Sequence, residues 1–313
     1  MNLGNNKSVL AFVAALLALG ALPWVGNDYL VGVGLTVLMW VALTQSWCVL
    51  SQLTGYVSLG LVVFYGLGAY FVVVTWQALP LWIAIPLGGL LAAGFAFLVG
   101  LPVMRVRGPY FVILTFGLAE LVKYGIMTYE SAAGIASRIL FGAPDLWVIY
   151  LLMLALAAAA VVLLACVSRS RFGHGLRSLR ENEEAAETLG VPVARFKLAA
   201  FVLSALIPGM VGGVMALRST YFVPGQVFDP MISVTVIAMA LLGGGDDEKG
   251  PLLGVVFLAL LSELLWAQAP LLYMIILGLI LVVFVLLVPN GLWGLLVERR
   301  GKASAAARLE VSP

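Results

Sequence analysis

Apolar residues fall along this chain in long runs, separated by short breaks that carry the charges, prolines and glycines. A helix needs about 20 mainly apolar residues to cross a bilayer. By that measure the pattern predicts spans at roughly 8–25, 29–50, 56–77, 81–103, 109–129, 146–167, 196–217, 229–245, 251–268 and 270–288. The eighth run is short enough to be re-entrant or broken, and the breaks at 26–28 and 268–270 are tight. The predicted fold class is therefore all-α and integral to the membrane, with about ten transmembrane helices.

Composition agrees. Charged residues make up 10% of the chain and mean hydropathy is +1.11, whereas a soluble domain carries about 25% charged residues to solvate its surface. The formal net charge of +2 gives no sign of a nucleic-acid partner. Where the cations sit is more informative. With the basic loop 168–195 placed in the cytoplasm and the spans alternated from it, 14 of the 17 basic residues fall inside, and only Lys123, Arg138 and Arg218 fall outside. Positive charge is retained on the cytoplasmic side of spans, so both termini are expected to be cytoplasmic. Trp24, Trp76, Trp82, Trp147, Trp266 and Trp293 lie near predicted span ends, as interfacial anchors do. The N-terminal apolar run follows a single Lys7 and is read as a retained first span; cleavage near Gly20 and Ala21 as a signal peptide is the alternative.

Two cysteines, Cys48 and Cys166, and one histidine, His174, supply neither a disulfide scaffold nor a metal-ligand set, so no metal centre is expected. Glycines punctuate the spans, and Gly209 follows Pro208 and precedes Gly213 at GxxxG spacing. Such positions either let helices approach closely or break a helix beside a transport path. Ionisable residues inside spans are costly and default to function. Glu120 and Lys123 are three apart and so share a helix face on which they can pair; Glu263 stands midway in the ninth span.

The segment 168–197, SRSRFGHGLRSLRENEEAAETLGVPVARFK, is longer than a passive connector needs to be. Ser178 and Glu181 have the spacing of a capping box, acidic residues follow in the first turns, and Gly190 with Pro192 ends the helix. The prediction is one helix from Leu179 to Leu189, with Leu179, Ala186 and Leu189 on one side and Arg180, Glu184 and Glu187 on the other. Such a short helix is marginal alone and must dock on something. Its glutamates disfavour an anionic lipid surface, so a soluble partner fits better.

Glu184-Ala185-Ala186, three residues, then Gly190 resembles the EAA loop of ABC-importer permeases, although its further Ile-x-Leu-Pro is absent and Leu206-Ile207-Pro208 is only a loose echo. Around it, LTGYVSLGLVVFYGLGAY (53–70), RVRGPYFVILTFGLAELVK (105–123), RFGHGLRSLRENEEAAETLGV (171–191), YFVPGQVFDPMISV (221–234) and LLGGGDDEKGPLLG (241–254) resemble the LivM-type permeases of branched-chain amino acid transporters. One departure is Leu61, where that family commonly has a His, so no role of that His is carried over.

The resemblance implies an ABC-importer permease bundle of the type II-like kind in the bacterial inner membrane. Residues 1–296 would form one transmembrane domain, with a coupling loop at 168–197 and a short cytoplasmic tail at 297–313. It implies a LivH-type second permease, two cytosolic ATPase subunits and a periplasmic solute-binding protein as partners. Arg180, Glu181, Glu184, Ala185, Ala186, Glu187 and Gly190 would couple to the ATPases, while Glu120, Lys123, Glu263, Pro208 and Gly209 are pathway or interface candidates. No P-loop occurs, and Gly243-Gly244-Gly245 is followed by Asp246, Asp247 and Glu248, which would repel phosphate. The chain is therefore expected to be no enzyme and to hold no cofactor, with ATP and magnesium on the partners. The implied cargo is a branched-chain or other hydrophobic amino acid. Urea, short amides, aromatic acids, or a sugar or nucleoside stay open within the superfamily, and an ion-coupled secondary transporter is the alternative of another class.

Overall fold

The structure is a computed structural model and describes residues 6–135, 137–140, 142–219, 221–244, 249–268, 275–276, 278–279, 282 and 291–294. It divides into two compact units, Met1–Thr235 and Val236–Pro313. The helices of the first unit, in chain order, are α1 (Asn6–Gly20), α2 (Leu22–Val25), α3 (Asp28–Thr54), α4 (Leu61–Thr75), α5 (Leu81–Val103), α6 (Pro109–Ala132), α7 (Leu146–Arg169), α8 (Arg171–Glu181), α9 (Glu183–Thr188), α10 (Val193–Ala216) and α11 (Pro224–Val227). Helix α12 (Met231–Gly243) runs from the first unit into the second, which also holds α13 (Gly250–Gln268). Nine of the ten predicted runs carry helix, and the tenth, 270–288, lies almost wholly outside the described residues.

Among the described residues, six helical segments are long and apolar enough to cross a membrane: α3, α5, α6, α7, α10 and the stretch Pro224–Gly243. The protein is thus a helical, multi-pass membrane protein by length and composition. The expected third span is shorter than its apolar run, because residues 55–60 are not helical. Gly55 ends α3 in the left-handed region, at φ 78°, where a side chain would be strained. The extended backbone beyond it is satisfied by side chains. Trp47 Nε1 donates to the Ser58 carbonyl at 2.9 Å, Leu59 N–H to Thr115 Oγ1 at 3.2 Å, and Ser233 Oγ to the Leu59 carbonyl at 2.9 Å. Buried backbone that leaves a helix persists when its polar groups are bonded in this way.

The core of the first unit is α3 and α10, with α4, α5 and α7 packed around them. Helices α4 and α10 cross backbone to backbone. A Cβ at Gly68 would collide with the Gly209 carbonyl, and one at Gly212 with that of Tyr65. Gly209 itself leaves no room for a Cβ beside Ala92 and Gly88, so Pro208-Gly209 is buried in this three-helix crossing. Leu61 is buried beside Trp47, Ser58, Phe64 and Ser204. Tyr150 Oη of α7 donates to the Leu19 carbonyl at 2.9 Å and so ties α1 to the unit. Trp24, Trp82 and Trp147 are exposed near helix ends.

At the end of the unit where α4, α6 and α10 finish, β1 (Arg138–Ile139) pairs antiparallel with β2 (Tyr221–Phe222), Arg138 opposite Phe222. Behind this short pair, Ala69, Val73, Leu140, Ala216 and Phe222 form an apolar cluster. In the second unit α12 and α13 also approach closely, since a Cβ at Gly254 would collide with the Met239 carbonyl. Lys249 Nζ lies 5.7 Å from the Trp293 ring centroid. Of the GGGDDE turn, residues 245–248 lie outside the described residues.

Candidate functional site

The loop between α7 and α10 folds as two helices, not as the single helix from Leu179 to Leu189 that the sequence predicts. Helix α8 is capped by Ser170, whose Oγ accepts from Gly173 N–H at 3.1 Å, and buries Gly173, Leu176 and Leu179. The capping box does not form: Ser178 Oγ instead donates to the Gly175 carbonyl at 2.8 Å, and Glu181 ends the helix. Asn182 is responsible. Its backbone is extended (φ −161°, ψ 114°), and its Oδ1 accepts from the N–H groups of Glu184 at 3.0 Å and Ala185 at 3.1 Å. An asparagine that offers its own acceptor to the backbone competes with a continuous helix and starts a new one.

The end of α9 follows expectation. Gly190 adopts φ +86°, its N–H reaches the Glu187 carbonyl, and Val191 N–H reaches that of Ala186. These two bonds are the Schellman pattern, which needs the left-handed residue that glycine supplies. Ala186 is buried, while Glu184, Ala185, Glu187 and Leu189 are exposed. Leu189 is 82% exposed, so it does not share the buried side with Leu179 and Ala186. Arg180 points back to the unit and donates from Nη1 to the Gln52 carbonyl at 3.1 Å.

Beneath this exposed face, Glu183 turns inward. Its Oε1 accepts from Tyr56 Oη and from Lys197 Nζ, each at 2.5 Å, and Lys197 Nζ also donates to Tyr56 Oη at 2.7 Å. Arg107 Nε faces Oε2 at 3.1 Å as an ion pair without hydrogen-bond alignment. Lys197 is 3% exposed and Glu183 mostly covered, whereas the Arg107 side chain is 59% exposed. A surface pair contributes about 0–1 kcal/mol, but removing one partner of a buried pair costs about 3–5 kcal/mol, so Lys197–Glu183 dominates the cluster. Burial alone would push the Glu183 carboxyl up, but the bonds from Lys197 and Tyr56 and the charges of Lys197 and Arg107 outweigh it and hold the carboxyl below its ordinary value. Burial, then the bond to Glu183 and its charge, pushes the Tyr56 phenol well above its ordinary value, against the opposing effect of Arg107. Tyr56 therefore stays a protonated donor. Its ring packs edge-on against Phe111 at 5.1 Å.

One carboxylate thus gathers four segments: the 55–60 link after α3, the turn before α6, α9, and the start of α10. Sequence reasoning singles out Glu184 and misses Glu183, Tyr56, Lys197 and Arg107. The available signal was Lys197 at the mouth of an apolar span, where a buried ammonium must find an anion.

The remaining candidates lie apart from the loop. Lys123 Nζ is 3.5 Å from the Glu120 carboxylate on α6, both side chains being partly exposed. Glu263 is half-buried on α13, in the second unit. Where α6 ends, Glu130 is 3% exposed and its Oε1 accepts from Arg138 Nε at 2.8 Å.

Comparison with known proteins places this geometry in context. Residues 29–285 match the model of the branched-chain amino acid transport system permease component family. The LivM permease of the high-affinity branched-chain amino acid transport system of Escherichia coli K12 is 29% identical over 84% of this chain and 70% of its own length. The L-arabinose transport permease AraH of the same strain is 35% identical, over 30% of this chain and 28% of its own. A LivH-type branched-chain amino acid permease of Methanocaldococcus jannaschii is 29% identical over 28% of this chain and 26% of its own. No solved structure gives a significant match.

Proposed function

Because the chain belongs to the family of branched-chain amino acid transport system permease components, we propose that it forms half of the translocation pore of an ATP-driven importer and is moved from the cytosol through α9. The observation that carries this reading is the two-sidedness of α9. Glu184, Ala185 and Glu187 face outward, while Glu183 is pinned inward on Tyr56, Lys197 and Arg107. A surface that is merely solvated has no need of a buried ionic anchor directly beneath it.

In this mechanism a LivH-type permease supplies the other half of the pore, two ATPase subunits grip α9 and its counterpart, and a periplasmic binding protein delivers the solute. ATP and magnesium belong to the ATPases, and this chain carries no cofactor of its own. Closure of the ATPase pair shifts α9, and Glu183 passes that shift to α10 and to the links beside α4 and α6. Ten spans with both ends in the cytoplasm of a bacterial inner membrane complete the proposal, since this arrangement keeps α9 and 14 of 17 basic residues inside.

The cargo this reading favours is a branched-chain or other hydrophobic amino acid, because the LivM relative aligns over 84% of the chain. A sugar is the second reading, favoured by the AraH match over 30% of it. In a reconstituted complex, Glu184→Lys or Gly190→Pro should abolish solute uptake while leaving expression and membrane insertion intact. Normal solute-driven ATP hydrolysis and uptake in those variants would refute the coupling role.

A further inference from the structure

Helix α6 carries a stripe of chemistry that the coupling mechanism does not use. Glu120, Lys123, Met127, Glu130 and Ser131 recur three and four residues apart, so they fall on one face within about 100° of arc. The stripe starts at mid-helix with the Glu120–Lys123 pair, whose side chains are 26% and 19% exposed. It ends, about 15 Å further at 1.5 Å per residue, in a cleft of about 350 Å³. Met127, Glu130, Ser131, Ile135, Val223 and Pro224 line that cleft.

Two features separate this face from ordinary helix surface. A mid-span ion pair left partly open is costly against hydrocarbon, so it faces protein or a hydrated path. The cleft at the other end has the size of a small-molecule site, roughly 300–1,000 Å³, and combines apolar walls with a carboxylate that is nearly buried.

We propose that this stripe is a solute-contacting surface for a zwitterionic aliphatic amino acid. The Glu130 carboxylate, whose Oε1 already accepts from Arg138 Nε at 2.8 Å, receives the α-ammonium in the cleft with its remaining acceptor capacity, while Met127, Ile135, Val223 and Pro224 cover the aliphatic side chain. The solute then passes to mid-span, where Lys123 takes the α-carboxylate and Glu120 the ammonium. Thr115 joins this helix to the link that Glu183 controls, through its bond with Leu59 N–H, so a shift of α9 reaches the stripe. The inference rests on the importer reading.

The test uses the full complex with its ATPases and binding protein, L-leucine as probe, and a parent carrying Cys48→Ala and Cys166→Ala. Met127→Cys should react with a membrane-impermeant thiol reagent, and leucine should slow that reaction several-fold. Gly125→Cys, round the helix from the stripe at a site where an added Cβ meets nothing within 4 Å, should show no leucine effect. Glu120→Gln combined with Lys123→Met should raise KM for leucine uptake about tenfold, the scale of one lost charge-assisted contact. Equal labelling of Met127→Cys with and without leucine, or an unchanged KM in the neutral pair, overturns the proposal. A parent complex that takes up leucine without ATP refutes the importer reading instead, and one that takes up none refutes the amino-acid cargo.

Discussion

At the scale of single residues, adjacent glutamates have opposite duties. Glu184 is exposed and Glu183 is held by three partners, although nothing in the local run ENEEAAET ranks one above the other. The depressed Glu183 carboxyl makes a signed prediction. A group whose folded value lies below its unfolded one, about 4.3 for a glutamate, stabilises the fold fully above the unfolded value and loses that contribution as pH falls through the folded one. Amide exchange over residues 183–190, corrected for intrinsic rates, should therefore stay slow from neutral pH down to about 5 and quicken below the ordinary glutamate range. Glu183→Gln should exchange faster at neutral pH and lack this acid step. A variant that keeps wild-type protection would show that the anchor contributes nothing.

At the scale of elements, the ends of α9 show how local and distant terms divide. Gly190 and Pro192 end the helix where the sequence says they must, because a left-handed position and a missing N–H act within the chain's own turn. The start is different: Ser178 and Glu181 offer a plausible cap, yet Asn182 captures two N–H groups and splits the element. The crossing of α4 on α10 is equally a matter of neighbours. Gly68 has no room for a side chain because the Gly209 carbonyl lies against it. Gly68→Leu should separate these helices at a cost of at least about 1–3 kcal/mol, the range for overpacking, and detergent-solubilised protein should melt several degrees lower. An unchanged melting temperature would mean that the crossing gives way freely.

At the scale of the whole molecule, topology is the consequence most open to measurement. With an impermeant thiol reagent and a cysteine-free background, Leu189→Cys and Ser304→Cys should label only in inside-out vesicles, and Tyr221→Cys only in right-side-out ones. Labelling of Ser304→Cys from outside, with Leu189→Cys still inside, would make the number of spans after Leu189 odd. Leu189 and Tyr221 are both well exposed, so neither result depends on unfolding.

The sequence by itself determined that the chain is a helical membrane protein, where most of its helices lie, and that the helix before α10 ends at Gly190. Those properties depend on apolar content and backbone freedom, which each short stretch carries within itself. Only the tertiary structure decided that Glu183 and not Glu184 turns inward, that residues 55–60 leave the helix, and that Arg138 pairs with a nearly buried Glu130. Tyr56, Arg107, Glu183 and Lys197 come from segments up to 141 residues apart, and a buried charge takes whichever partner the packing brings within reach.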